Sequence, residues 1–252
     1  MTTTPPPLAR RLAAEAVGTA VLAAVVVGSG IQATGLSHDG GVRFLANVAA
    51  SALTLVVLIE LLGPVSGGHF NPLVSLVTWW AERRGVLIPM TLREVGAYTA
   101  AQVAGAVGGT GLANAMFERP FVQVSAHQRT GSGLWLAEAV ATGVLVLLVF
   151  GLPRSGRGRI VPMAVGLWIG AACWATSSGS FANPAVTLGR AFTDSYTGIS
   201  PASVPAFVFS QAVGAALGVV LVALLFGRPT AAGAAEPAVP AVPDDARKLV
   251  TG

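Results

Sequence analysis

Two Asn-Pro pairs carry the most specific chemistry in the chain, Asn71-Pro72-Leu73 and Asn183-Pro184-Ala185. Asn is a favoured helix N-cap, and Pro is favoured at the first helical position, where its missing N–H costs nothing. Each pair should therefore start a helix. The side-chain oxygen would cap backbone N–H groups, and the side-chain NH₂ would stay free to donate. Each pair follows a stretch rich in Gly and Ser, Val65–Phe70 and Thr176–Ala182. Each precedes a short apolar segment, Leu73–Trp80 and Ala185–Phe192, too short to cross a bilayer. A glycine-rich turn followed by a half-length helix reads as a re-entrant loop. Such backbone is tolerated at membrane depth only when protein buries it or it lines a water-filled cavity.

The surrounding elements fit a membrane setting. The 252 residues are 53% hydrophobic and 10% charged, with a mean hydropathy of +0.70. Six stretches approach the roughly 20 apolar residues that a span needs. They are Leu8–Ile31, Val42–Leu62, Val95–Phe117, Leu134–Leu152, Ile160–Thr176 and Val204–Phe226. The net charge of +4 does not imply a nucleic-acid partner, because the Lys and Arg residues gather at span ends. Eleven of the fifteen, among them Arg10, Arg11, Arg83, Arg84, Arg154 and Arg228, fall on one side if the spans alternate. Arg43, Arg119, Arg129 and Arg190 fall on the other. By the positive-inside rule both termini are cytoplasmic, which an even number of spans requires. Residues 1–7 and 228–252 hold few large apolar side chains and read as disordered tails flanking a membrane domain at 8–227.

An internal repeat divides that domain at about 8–117 and 134–227. Ala14-Glu15-Ala16-Val17 is matched by Ala137-Glu138-Ala139-Val140, and Gln102-Val103-Ala104-Gly105 by Gln211-Ala212-Val213-Gly214. The two Asn-Pro segments match in the same order. Three spans per half is an odd number, so the halves insert in opposite senses. The two half-helix N-termini then meet near the midplane. Their donors and positive dipole ends would admit solutes with lone pairs and oppose cations. Gly105, Gly109, Gly214 and Gly218, at four-residue spacing, should let helix backbones approach closely.

These features resemble the aquaporin and aquaglyceroporin (major intrinsic protein) family. Ala14-Glu15 with Gly18-Thr19, Ser66–Pro72 and Asn183-Pro184-Ala185 carry the resemblance, which covers nearly the whole membrane part; Leu73 stands where the family usually has Ala. It implies an all-α fold of six spans and two re-entrant half-helices, with a homotetramer and one pore per subunit. Glu15 and Glu138 would then support the loop backbones, and His69 would be held by its loop near the pore. Family members have an outer constriction with an Arg three residues after the second Asn. Here that residue is Val186, and Arg190 is one turn further on. Counting back on the family's spacing, without an insertion after Thr176, places Ser51, Ala171 and Ser180 with Val186. Four small or neutral residues imply a wide, mildly polar pore. Val186 in Ser180–Thr187 resembles a bacterial subgroup associated with arsenic resistance. This implies passage of neutral or methylated arsenicals, other metalloid acids, glycerol-like polyols and water across the inner (plasma) membrane.

Neither a cofactor nor a metal is expected, and no nucleophile–base pair suggests an enzyme. A water-selective pore and an ion-coupled secondary transporter are the alternatives. The transporter would need a coupling site, for which only Glu60 is left over: a loop cap and a place near the cytoplasmic vestibule are both open to it. Cys173, the single cysteine, reads as an apolar filler.

Overall fold

In the computed structural model, residues 6–82 and 90–227 are described. Arg83, Arg84 and Arg228 lie outside them, as do most of the residues read as tails. The described chain is helical, with α1 Leu8–Leu36, α2 Gly40–Ser66, α3 Pro72–Glu82 and α4 Leu92–Met116 in the first half. The second half contains α5 Ser132–Arg154, α6 Val161–Ala175, α7 Pro184–Gly189 and α8 Val204–Phe226. Local chemistry sets the boundaries. Asp39 caps α2, its carboxylate accepting from Val42 N at 2.8 Å. Gly67 ends that helix at φ 94°, a left-handed conformation that glycine adopts at little cost. Thr91 and Glu94 form a reciprocal capping box at the start of α4. The second half-helix is shorter than the expected Ala185–Phe192 segment, because α7 tightens into a 3₁₀ turn at Arg190–Phe192.

The inverted repeat is visible in the packing. α1 lies along α4 and α5 lies along α8. A Cβ at Gly105 or Gly109 would collide with the carbonyl of Ala16 or Ala20. In the other half, a Cβ at Gly214 would strike the Ala139 carbonyl, and one at Gly218 would come within 2.5 Å of the Gly143 carbonyl. In lipid no hydrophobic drive brings helices together, so this close approach is what holds them.

Five helices are long and apolar enough to cross a membrane: α1, α2, α5, α6 with its leading 3₁₀ turn, and α8. The sixth expected span, α4, has 25 residues but is not among the five. Its Gly- and Ala-rich surface is turned inward on α1 and the half-helices rather than outward, so it carries less lipid-facing apolar bulk. α2 presents the opposite case, with Leu53, Val57 and Leu61 between 60 and 68% exposed. That outward apolar stripe belongs to a multi-pass membrane protein.

Candidate functional site

Each re-entrant loop hangs from one buried glutamate. Glu15 on α1 accepts Ser66 Oγ at 2.6 Å, His69 N at 3.0 Å, Phe70 N at 2.7 Å and Gln102 Nε2 at 2.7 Å. Glu138 on α5 accepts Phe181 N and Ala182 N, both at 2.9 Å, and Gln211 Nε2 at 2.6 Å. Both carboxylates are fully buried. A carboxylate inside a membrane is costly unless several donors satisfy it, and here they do. The same glutamines brace the half-helices. Gln102 Nε2 also donates to Ser75 Oγ at 3.0 Å, and Gln211 Nε2 to Thr187 Oγ1 at 2.9 Å. The sequence showed Gln102 and Gln211 as matched positions but gave no sign of this role; a matched polar pair inside apolar spans was the available signal.

The loops need this anchorage because their backbones are strained in the same way. Phe70 has φ 47° and Ala182 φ 46°, each just before its Asn, and Ser180 has φ 49°. Non-glycine residues occupy this region only when their surroundings hold them there. His69 joins the first loop through its Nδ1, 3.0 Å from Ser75 Oγ. Tyr98 donates its hydroxyl to Ser66 O at 2.9 Å.

The two Asn residues cap their helices and cross-link the loops. Asn71 Oδ1 accepts from Leu73 N at 3.0 Å, and Asn183 Oδ1 from Ala185 N at 3.0 Å and Val186 N at 3.3 Å. Asn71 Nδ2 donates to Ala182 O at 2.7 Å, while Asn183 Nδ2 donates to Phe70 O at 2.7 Å. The amide nitrogens are thus not wholly free, as local capping rules suggested. One hydrogen of each ties the facing loop, and one remains. The physical reason is the carbonyl that each left-handed residue turns toward the opposite loop.

Around this junction lies an apolar cluster from the helices of both halves. It includes Leu22 and Val26 of α1, Leu58 and Ile59 of α2, Leu145 of α5, Val165 and Ala172 of α6, and Phe70, Ala182 and Val186. Val186 is therefore in the cluster, 4% exposed. Ser51 is buried and donates to Asn47 O at 2.8 Å. Asn47 in turn donates to Val26 O at 2.8 Å. Ser180 is buried, and its Oγ has no partner. Ala171 lies outside that cluster. It is exposed, on the side of α6 that carries Met163, Leu167 and Trp174. One residue is a 100° turn of the helix, and Ala172 is the neighbour that belongs to the same buried cluster as Val186. α6 stops at Ala175 and the loop that follows does not keep helical spacing, so counting back from the second motif does not by itself fix a face of α6.

The remaining candidates fall elsewhere. Glu60 is exposed on α2, next to Leu61 and one turn from Val57, with no hydrogen bond or ion pair among the described residues, so it caps no loop. Cys173 is buried and donates its thiol to Gly179 O at 3.2 Å. Arg190 lies behind the second loop, 8% exposed. Among the described residues no group of three or more His, Cys, Asp or Glu side chains could hold a metal ion.

The family model for Major intrinsic protein matches residues 2–177 and 160–250. The aquaglyceroporin AqpS of Rhizobium meliloti (strain 1021) is 48% identical over 208 residues, covering 82% of this chain and 86% of that protein. Nodulin-26 of Glycine max is 30% identical over 200 residues, 77% of this chain and 71% of the relative. The X-ray structure of the aquaglyceroporin from Plasmodium falciparum shares the fold, with a TM-score of 0.62 at 18% identity, over 88% of this chain and 96% of that one.

Proposed function

The chain belongs to the major intrinsic protein family, and from that membership we propose a passive channel for small uncharged solutes, with a pore wider than a water-specific one. Candidate solutes are water, glycerol-like polyols, and neutral or methylated arsenicals and other metalloid acids. The observation that carries this reading is Val186. It sits in the apolar cluster at the loop junction, at the position where the family usually has an Arg. Ser51 and Ser180 are equally small, and we assign the fifth-span place in the constriction to Ala172 rather than Ala171. The Ser180 hydroxyl is buried and unpartnered, and reaching a passing solute would take a local rearrangement of the loop. The crossed Asn71 and Asn183 amides, each with one hydrogen left, supply the central donors. The relative at 48% identity bears the name aquaglyceroporin, which supports passage of polyols.

On the same reading the channel is a homotetramer in the inner (plasma) membrane with both termini cytoplasmic. Glu60 supports assembly, since a carboxylate on a lipid-facing stripe is costly and a second copy would shield it. Uptake of arsenite, methylarsenicals and glycerol into proteoliposomes tests the proposal. Solute entry down its gradient, unaffected by ion gradients, is expected. Water flux with no solute flux would overturn it, and dependence on an ion gradient would favour a transporter.

A further inference from the structure

We propose that Arg190 and Arg129, stacked on Phe181 behind the second re-entrant loop, provide the outer barrier to cations in this channel. This rests on the reading that Val186 faces the conduit. A channel with Val186 there has no cation on the lumen wall, and the structure holds two on the Phe181 ring of the second loop.

The loop backbone alternates. Ala182 turns to the apolar cluster at the loop junction, whereas Phe181 packs away from it with Ala191, Ile199 and Phe207. The Arg190 guanidinium carbon lies 3.4 Å from the centre of the Phe181 ring, and that of Arg129 lies 5.3 Å from it. Backbone carbonyls fix both groups. Arg190 Nε donates to Thr197 O at 2.5 Å. Arg129 donates through Nε to Gly198 O at 2.9 Å and through Nη2 to Tyr196 O at 3.4 Å. Among the described residues neither guanidinium is paired with a carboxylate. The carboxylate whose charge acts on both is Glu138, which spends its oxygens on Phe181 N, Ala182 N and Gln211. Burial lowers the Arg129 guanidinium from its ordinary value, with Tyr196 and Glu138 opposing that shift.

Two cations against one committed carboxylate leave a net positive charge. Retaining unpaired charge at this depth is costly, so a bare packing role is a poor account of it. Arg190 is buried, so solvent screens its field little. For an illustrative separation of about 8 Å and an effective dielectric of about 20, a unit charge changes an ion's partition by roughly thirtyfold.

The test uses the purified full chain in planar bilayers and proteoliposomes. Glycerol uptake and the reversal potential in a KCl gradient are measured for wild type, Arg190→Gln, Arg190→Lys, Arg129→Gln and Arg129→Lys. Wild type should take up glycerol without K⁺ leak. Arg190→Gln should keep glycerol uptake and raise K⁺ permeability at least about tenfold, with a smaller rise for Arg129→Gln. Both Lys variants should stay tight, because charge is kept while the planar stack is lost. Gln variants that conduct glycerol and remain impermeable to K⁺ would overturn the inference. Lys variants that leak as much as the Gln variants would do so too, since contact rather than charge would then matter. If Arg190→Gln does not assemble, the Arg129 pair decides by the same criteria. A wild type that passes no neutral solute would overturn the pore reading together with this one.

Discussion

Replacing Glu138 with Gln tests how the second re-entrant loop is held. The carboxylate accepts three hydrogen bonds, from Phe181 N, Ala182 N and Gln211 Nε2. An amide keeps one acceptor oxygen and turns an NH₂ toward donors. At least one of the three donors then loses its acceptor in a fully buried site. Each buried unsatisfied group costs about 1–3 kcal/mol, so the loss is about 2–4 kcal/mol once the amide–donor clash is included. The loop also stores strain at Ser180 and Ala182, which its anchor no longer opposes. Against a total stability of about 5–15 kcal/mol this is a large fraction. Purified Glu138→Gln should therefore unfold at clearly lower temperature than wild type in the same detergent, with solute flux reduced. Glu15→Gln should be at least as severe, because Glu15 accepts four such bonds. A Glu138→Gln protein with wild-type melting temperature and flux would refute the claim that the carboxylate carries the loop.

Val186→Arg should narrow the constriction and reduce glycerol and arsenical uptake more than water flux in the same vesicles; equal loss of both would count against a place for Val186 on the lumen wall. Gly214→Val should separate α5 from α8, since a Cβ there meets the Ala139 carbonyl, and should cost several kcal/mol, at or beyond the ~1–3 kcal/mol usual for overpacking. Gly96→Ala meets nothing within 4 Å and should gain about 0.5–1 kcal/mol from helix propensity, so thermal unfolding of the two variants separates collision from composition. Asn71→Asp keeps the cap to Leu73 N but loses the donor to Ala182 O and adds a negative charge. It should lower thermal stability and raise cation leak, read as conductance in planar bilayers.

The sequence by itself determined what depends on neighbours along the chain. Asn71 and Asn183 start helices because an Asn followed by Pro does so through local hydrogen bonds, and the structure has both caps. Hydropathy marked the ends of five spans to within a few residues, and the glycine spacing predicted the close backbone approach, though not the carbonyls it brings near. The expected Val95–Phe117 likewise matches α4, Leu92–Met116, although small inward-facing residues dilute its apolar signal. Tertiary structure alone decided what depends on contact across the two halves. Ala182 and Phe70 accept from Asn residues more than a hundred positions away, and nothing local marks a carbonyl as that acceptor. Ala172 rather than Ala171 joins Val186, because the end of α6 sets the angle and residue counting does not see it. Arg190, by its place in the sequence only the cation one turn beyond Val186, becomes a buried one, because only the fold brings Phe181 and Thr197 around it.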